Sequence, residues 1–250
     1  MVWCANIGIF DKHNAKQEKV YLFYSNQIDQ KEVILDEEQS RHASKVMRLK
    51  AGDVFEVTSG HGDKVTCRIA EIGKKTLTGT ILEKTVLPRN PLKRAIAIAP
   101  TKNADRLEWF VEKAVEIGID EIFFIKTQRS EKPRVNLERM NRIAITALKQ
   151  CYQTFMPQFY ELNDFAKVIE KLQDYPNRYI AHCEDPEQHL KTFGPFYEGV
   201  IVFIGPEGDF SPQEVEKAKL LGFSEVSLGP SRLRTETAGV YAVTVMNIFQ

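Results

Sequence analysis

The chain has 250 residues, with 34 Lys and Arg against 34 Asp and Glu; the formal net charge of zero excludes a uniformly basic nucleic-acid coat and leaves any grip on a polyanion to local patches. Apolar residues make up 43% of it, enough for one large core or two modest ones, and no apolar run is long enough to cross a membrane. Four scattered cysteines (Cys4, Cys67, Cys151, Cys183) form no C-x-x-C pair, which argues against a zinc site or disulfide framework and fits buried thiols in a reducing cytoplasm.

Residues 1–19 hold no apolar stretch followed by a small-residue cleavage site, so they read as a loose extension or a misplaced start, with the fold beginning near Val20. Residues 20–88 read as mostly strand: YLFY, GDVFEVTSG, KVTCRIAEI and TLTGTIL are short β-rich runs separated by Gly, Asp and Lys turns. One helix, DEEQSRHASKVMRL, interrupts them, with Val46 and Leu49 on one side and Arg41, Lys45 and Arg48 as a basic stripe. This pattern predicts a small β-barrel with one helix. LPRNPLKR then reads as a linker.

From residue 89 the rhythm changes. RAIAIAP is a continuous apolar run, as expected of a strand buried on both faces. ADRLEWFVEKAVEIG sets Leu107, Phe110, Val111, Ala114 and Val115 on one helical face, and LERMNRIAITALKQC is helical by the same spacing. EIFFIK, RYIAHC, VIVFIG and EVSLG are further predicted strands, with helices near 164–173, after VIVFIG and at the C-terminus. The alternation predicts an α/β domain over 89–250, a parallel sheet with helices on both faces.

Two loops at predicted strand ends resemble each other. In IGPEGDFSPQEV the strand ends at Gly205 and Pro206, and Ser211, Pro212 and Glu214 start a helix with a capping box. A self-capped start flanked by Glu207 and Asp209 disfavours a phosphate site, and the loop matches neither G-x-G-x-x-G nor the P-loop pattern. In LGPSRLRTETAGVYAV a strand ends at Gly229 and Pro230, and Thr235 is the expected capping hydroxyl of the last helix, followed by Glu236. Ligands bind outside the carboxyl ends of strands in such sheets. Two Gly-Pro loops there suggest one backbone-lined pocket for an adenine and a ribose, with Glu207, Asp209 or Glu236 balancing a cationic ligand such as a sulfonium.

IGPEGDFSPQEV together with LGPSRLRTETA resembles the RsmE family, methyltransferases that modify N3 of a uridine in 16S rRNA of the small ribosomal subunit. The similarity extends through LFYSNQI, RHASKVMRLKAGD, EKAVEIGIDEI and QRS. It implies a PUA-like RNA-binding barrel, a SPOUT-type domain with a C-terminal trefoil knot, a cytoplasmic homodimer, and S-adenosylmethionine as cofactor, with no metal. The knot loops would hold the cofactor through Ile204, Gly205, Pro206, Gly208, Leu228, Gly229, Leu233, Thr237 and Ala238. The chain departs from the family pattern at Asp209, where a glycine is usual, at Ser231-Arg232 in place of Arg-Ile, and at Lys149, where an E-Q-x-x-R run opens with Glu.

Uracil N3 is a poor nucleophile until its proton leaves. Arg234 is the candidate to stabilise the developing anion, and Glu207, Glu236 or water the candidate to receive the proton. RNA would be gripped by patches: Arg41, Lys45 and Arg48; Arg89, Lys93 and Arg94; Arg129, Lys132 and Arg134; with Lys102 and Arg106 near the cleft. Phe210 is a candidate for stacking on a flipped base, with core packing as the alternative, and His42 for packing or RNA contact. The competing readings are an RNA-binding module without catalysis and a transferase directed at transfer RNA.

Overall fold

The structure is a computed structural model that describes residues 20–248 except 132 and 185, so Cys4, the expected N-terminal extension and Lys132 lie outside the described residues. The first domain is one six-stranded sheet built from β1 (Leu22–Tyr24), β2 (Gln27–Ile28), β3 (Glu32–Leu35), β4 (Val54–Thr58), β5 (Asp63–Ile72) and β6 (Leu77–Val86), in the order β1-β4-β5-β6-β3-β2. Alternate residues of β4 and β5 (Phe55, Val57, Val65, Cys67, Ile69) point into one core with Phe23. Ser25 Oγ donates to Ile34 O at 2.5 Å, tying the end of β1 to the far side of the strand order, so the sheet curls around that core.

The helix of this domain is shorter than its sequence suggests. α1 (Glu37–Arg41) is capped by Asp36, whose Oδ1 accepts from Gln39 N at 2.8 Å, and then widens into a π-helical turn over His42–Val46. Ser44 Oγ bonds back to Ser40 O at 2.8 Å, a contact that loosens helices. Ala43 and Leu49 reach the core, whereas Val46 is 63% exposed, contrary to the expected apolar side. Arg48 has left the helix with φ of 58°, so the predicted stripe is not one helical row.

The second domain is a parallel sheet in the order β12-β10-β11-β7-β8-β9. Its elements in chain order are β7 (Arg94–Ile98), α2 (Ala104–Ile117), β8 (Glu121–Lys126), α3 (Leu137–Cys151), β9 (Gln158–Asp164), α4 (Phe165–Lys171), β10 (Asn177–Ala181), β11 (Val200–Ile204), α5 (Pro212–Leu220), β12 (Ser224–Val226) and α6 (Thr235–Ile248). β9 was not expected from sequence: it is an edge strand, half exposed, and lacks the apolar run that marks the central strands. In β7, Ile96 and Ile98 pack under α2 and α6, while Ala95 and Ala97 face α4 and α5, which is why these strands read as continuously apolar. α2 and α6 approach closely at Gly239, where a Cβ would sit 2.6 Å from the Phe110 ring.

The predicted linker is ordered, and its cations are already spoken for. Arg89 and Arg94 both pair with the buried Asp120, at 3.3 and 3.1 Å, and Lys93 pairs with the buried Glu121 at 2.8 Å. Buried carboxylates at the start of β8 require such partners, so this basic cluster has a structural role in neutralising them. The two domains are joined along the segment after α3. Met156 N donates to Gly60 O and Gly62 N to Thr154 O, each at 2.8 Å, and Leu22 packs against Ala144, Ala147 and Leu148.

Candidate active site

The parallel register brings four strand ends to one rim. Ile98, Ile204, Ala181 and Val226, the last residues of β7, β11, β10 and β12, are neighbours across the sheet. The loop after each strand therefore opens at the same edge, including both Gly-Pro loops.

The first Gly-Pro loop is closed by its own bonds. Asp209 N donates to Pro206 O at 2.9 Å, forming a turn that places Asp209 at φ of 62°. Asp is one of the few residues that tolerate this conformation, because its short side chain bonds locally. Here Oδ1 accepts from Phe210 N and Oδ2 from Cys183 N in the loop after β10, both at 2.8 Å. The usual glycine is thus replaced by a residue that also fastens two loops. Burial, reinforced by the Asp209 carboxylate, pushes the Cys183 thiol up and keeps it protonated. Arg129 Nη1 donates to Gly208 O at 2.9 Å and to Phe210 O at 3.1 Å, and Glu207 Oε1 accepts from Lys102 N at 3.2 Å. The capping box forms as expected, with Glu214 N on Ser211 Oγ at 3.3 Å and Ser211 N on Glu214 Oε2 at 2.9 Å. Phe210 is 2% exposed and packs on Phe165, so core packing is its role and it offers no face to a base.

The second loop differs. Thr235 does not cap α6. Ala238 N bonds to Arg234 O at 2.8 Å, which makes Arg234 the capping position, and the buried Thr235 Oγ1 donates instead to Gly205 O at 3.1 Å. That bond joins the two Gly-Pro loops directly. Gly229 takes φ of 132°, and a Cβ built on it meets nothing within 4 Å. This backbone therefore borders open space that a side chain would fill, which is the fit expected of a cradle for a small ligand held by main-chain atoms.

Beside this loop lies a cavity of about 560 Å³ against α2, bordered by Arg106, Trp109, Arg232, Arg234, Glu236 and Thr237. Glu236 is buried, with Oε1 3.8 Å from Arg106 Nε, and the start of α6 favours its charge. Among the described residues no carboxylate lies within 4 Å of the guanidinium of Arg232 or Arg234. Of the proposed cofactor residues, Leu233 and Thr237 line the cavity; Ile204, Gly205, Pro206 and Ala238 are buried under the rim; Leu228 and Gly229 are half-buried and Gly208 is exposed. Lys102 lies at the rim with its ammonium on Glu131 at 2.9 Å, while Arg41, Lys45 and Arg48 belong to the other domain. Trp109 was missed by sequence reasoning. Its signal is an aromatic residue set off the core face of α2, and it is 43% exposed there. Among the described residues, no group of three His, Cys, Asp or Glu could hold a metal, and no helix is long and apolar enough to cross a membrane.

Comparison with known proteins agrees with this geometry. A family model for an RNA methyltransferase domain matches residues 88–247, and one for an RNA methyltransferase PUA domain matches residues 35–82. An RNA methyltransferase is thus the class that the barrel, the parallel sheet and the looped rim define. Ribosomal RNA small subunit methyltransferase E of Bacillus subtilis (strain 168) is 28% identical over 84% of this chain and 87% of its own length. The crystal structure of a probable rRNA-methyltransferase from Porphyromonas gingivalis superimposes with a TM-score of 0.84 at 37% identity, covering 92% of this chain and 98% of that one. A ribosomal RNA small subunit methyltransferase E from Neisseria gonorrhoeae, bound to S-adenosyl methionine, gives 0.81 at 25% identity, covering 92% and 97%. The chain belongs to the ribosomal RNA small subunit methyltransferase E family, and its fold is the expected SPOUT-type α/β domain with a PUA-like barrel.

Proposed function

We propose that the protein methylates N3 of a uridine in 16S rRNA, using S-adenosylmethionine, as a cytoplasmic homodimer. The observation that carries the reading is the Thr235 bond to Gly205 O. It brings two Gly-Pro loops to one rim beside a cavity bordered by Arg232 and Arg234, which have no carboxylate partner among the described residues. S-adenosylmethionine would supply an electrophilic methyl group on a sulfonium. The rim backbone from 204 to 208 and from 228 to 233 would hold it, with Thr237 and Ala238 below.

The chain's own residues do the rest. Arg234, at the cavity edge with no carboxylate partner among the described residues, would stabilise the charge that develops on a uracil carbonyl as N3 loses its proton. Arg106 Nε lies 3.8 Å from Glu236 Oε1 at the cavity wall, which leaves the terminal nitrogens of Arg106 for RNA. That pairing makes Glu236 the better charge anchor, and leaves Glu207 at the rim or water to take the proton. Holding N3 and the methyl carbon in line supplies much of the rate. Arg129 spends one nitrogen on the first loop. Its role is to position that loop, and its remaining donors are open to a phosphate. Arg41, Lys45, Arg48, Lys102 and Arg106 would contact the RNA backbone.

The test supplies labelled S-adenosylmethionine and unmodified small subunits to the purified protein, then maps the methylated nucleotide. Label at N3 of one 16S uridine is expected. Label only in transfer RNA, or RNA binding with no cofactor binding by calorimetry, would overturn the reading.

A further inference from the structure

A second site lies at the junction of the domains. A notch of about 150 Å³ is bordered by Gln39, Arg41, His42 and Val46 at the end of α1, and by Lys149 in the last turn of α3. Glu38 lines it too, one carboxylate against the two cations of Arg41 and Lys149. Neither domain forms it alone.

Its cations differ from those of the linker and of the exposed face of α3. Arg89, Arg94, Lys93 and Arg139 each have a carboxylate within 3.3 Å. Among the described residues, no carboxylate lies within 4 Å of the charged group of Arg41, Lys45 or Lys149. Lys149 is half-buried and spends one of its three donors on Gln39 Oε1 at 3.0 Å. Burial holds its ammonium below the usual lysine range, and Glu38 and Asp36 offset this only in part. His42 stands edge-on to Phe23 at 6.3 Å, and burial and Lys149 keep its imidazole neutral, so it adds a hydrogen-bonding group without adding charge. A half-buried ammonium with two further donors, next to a guanidinium that has no carboxylate partner among the described residues, is suited to one compact anion.

We infer that the notch binds one backbone phosphate of the RNA substrate, gripped by both domains at once. The inference rests on the reading that the substrate is RNA. Arg41 and Lys149 supply the charge, and Gln39 orients the ammonium. A phosphate held here would fix the path of the strand from the barrel onto the α/β domain.

The test measures binding of a small-subunit rRNA fragment across a salt series for the full chain and for Lys149→Met, Lys149→Glu and Arg41→Gln, with cofactor affinity and thermal melting alongside. Lys149→Met should weaken RNA binding several-fold and make the slope of log K against log salt shallower by about 0.7 to 0.9, the loss of one phosphate contact. Lys149→Glu should weaken it further. Arg41→Gln, which leaves the Lys149–Gln39 bond between the domains in place, should also make the slope shallower, and cofactor affinity should not change. Unchanged RNA affinity and slope overturn the inference. So does a loss confined to Lys149 variants that also melt earlier, which would make the lysine a domain contact. Loss only with assembled subunits would point to an acidic protein partner and equally overturn it. A wild type that methylates while the variants keep their slope defeats this inference alone, whereas a wild type with no RNA affinity defeats the earlier reading as well.

Discussion

The two Gly-Pro loops leave the same rim and each opens a helix, yet they are built for opposite purposes. In the first, the side chain of Asp209 bonds to two groups of the surrounding loops and that of Glu214 to three, and Arg129 clamps two of its carbonyls. In the second, Gly229 faces open space, and Arg232 and Arg234 have no carboxylate partner among the described residues. Exposed ion pairs contribute little to stability, so leaving these arginines unpaired costs the fold almost nothing. It leaves them available to a substrate. On the proposed reading the first loop is the rigid side of the site and the second its open edge, and the Thr235 bond ties the two together.

The contrast predicts different failures. Arg234→Ala should lower methyl transfer by about 10² to 10³-fold, the usual effect of removing one donor to a developing anion, with the melting temperature unchanged. A similar rate loss with a matching loss of stability would make Arg234 part of the scaffold and break the distinction. Gly229→Trp should abolish cofactor binding in calorimetry; its side chain enters open space, so the circular dichroism spectrum should keep its shape, while the φ of 132° makes the variant melt somewhat earlier than wild type. Undiminished binding would mean that the cradle lies elsewhere. Thr235→Val should act in the opposite manner. It leaves the buried Gly205 carbonyl without its donor, a loss of about 1 to 3 kcal/mol readable as a lower urea midpoint.

The sequence made much of this plan legible, and the parts it hid have physical reasons. Strands buried on both faces, β7 and β11, announce themselves as apolar runs, and the capping box at Ser211 and Glu214 is written in local spacing. β9 is a half-exposed edge strand with no such run. The role of Thr235 was not readable because a threonine before an acid at a helix start carries the same local signal whether it caps the helix or bonds to a carbonyl 30 residues earlier. The basic linker illustrates the same limit. Arg89, Lys93 and Arg94 look like a patch until Asp120 and Glu121 arrive from the neighbouring strand. Charge in a sequence is local, whereas neutralisation is a property of the fold.

The smallest expected effect concerns what holds the second loop from behind. His189 precedes a short 3-10 turn that is bonded to the end of β12: Leu190 N donates to Ser227 O at 3.0 Å, and Ser227 N to Gln188 O at 2.8 Å. Its Nδ1 accepts from Lys191 N at 3.0 Å, and Nε2 lies 3.2 Å from Tyr241 Oη on α6. Burial, then the Lys191 charge, holds the imidazole below its ordinary value. The unfolded chain therefore takes up this proton more readily than the folded one. The stability contributed by neutral His189 is present above about pH 6.5 and is lost as pH falls through the folded value. His42 shifts in the same direction, so wild type alone cannot assign the effect. The difference in urea midpoint between pH 7.5 and 5.5 should be larger in wild type than in His189→Gln. Equal differences would mean that the histidine does not brace the loop, and that the open edge is held by Thr235 and the sheet register alone.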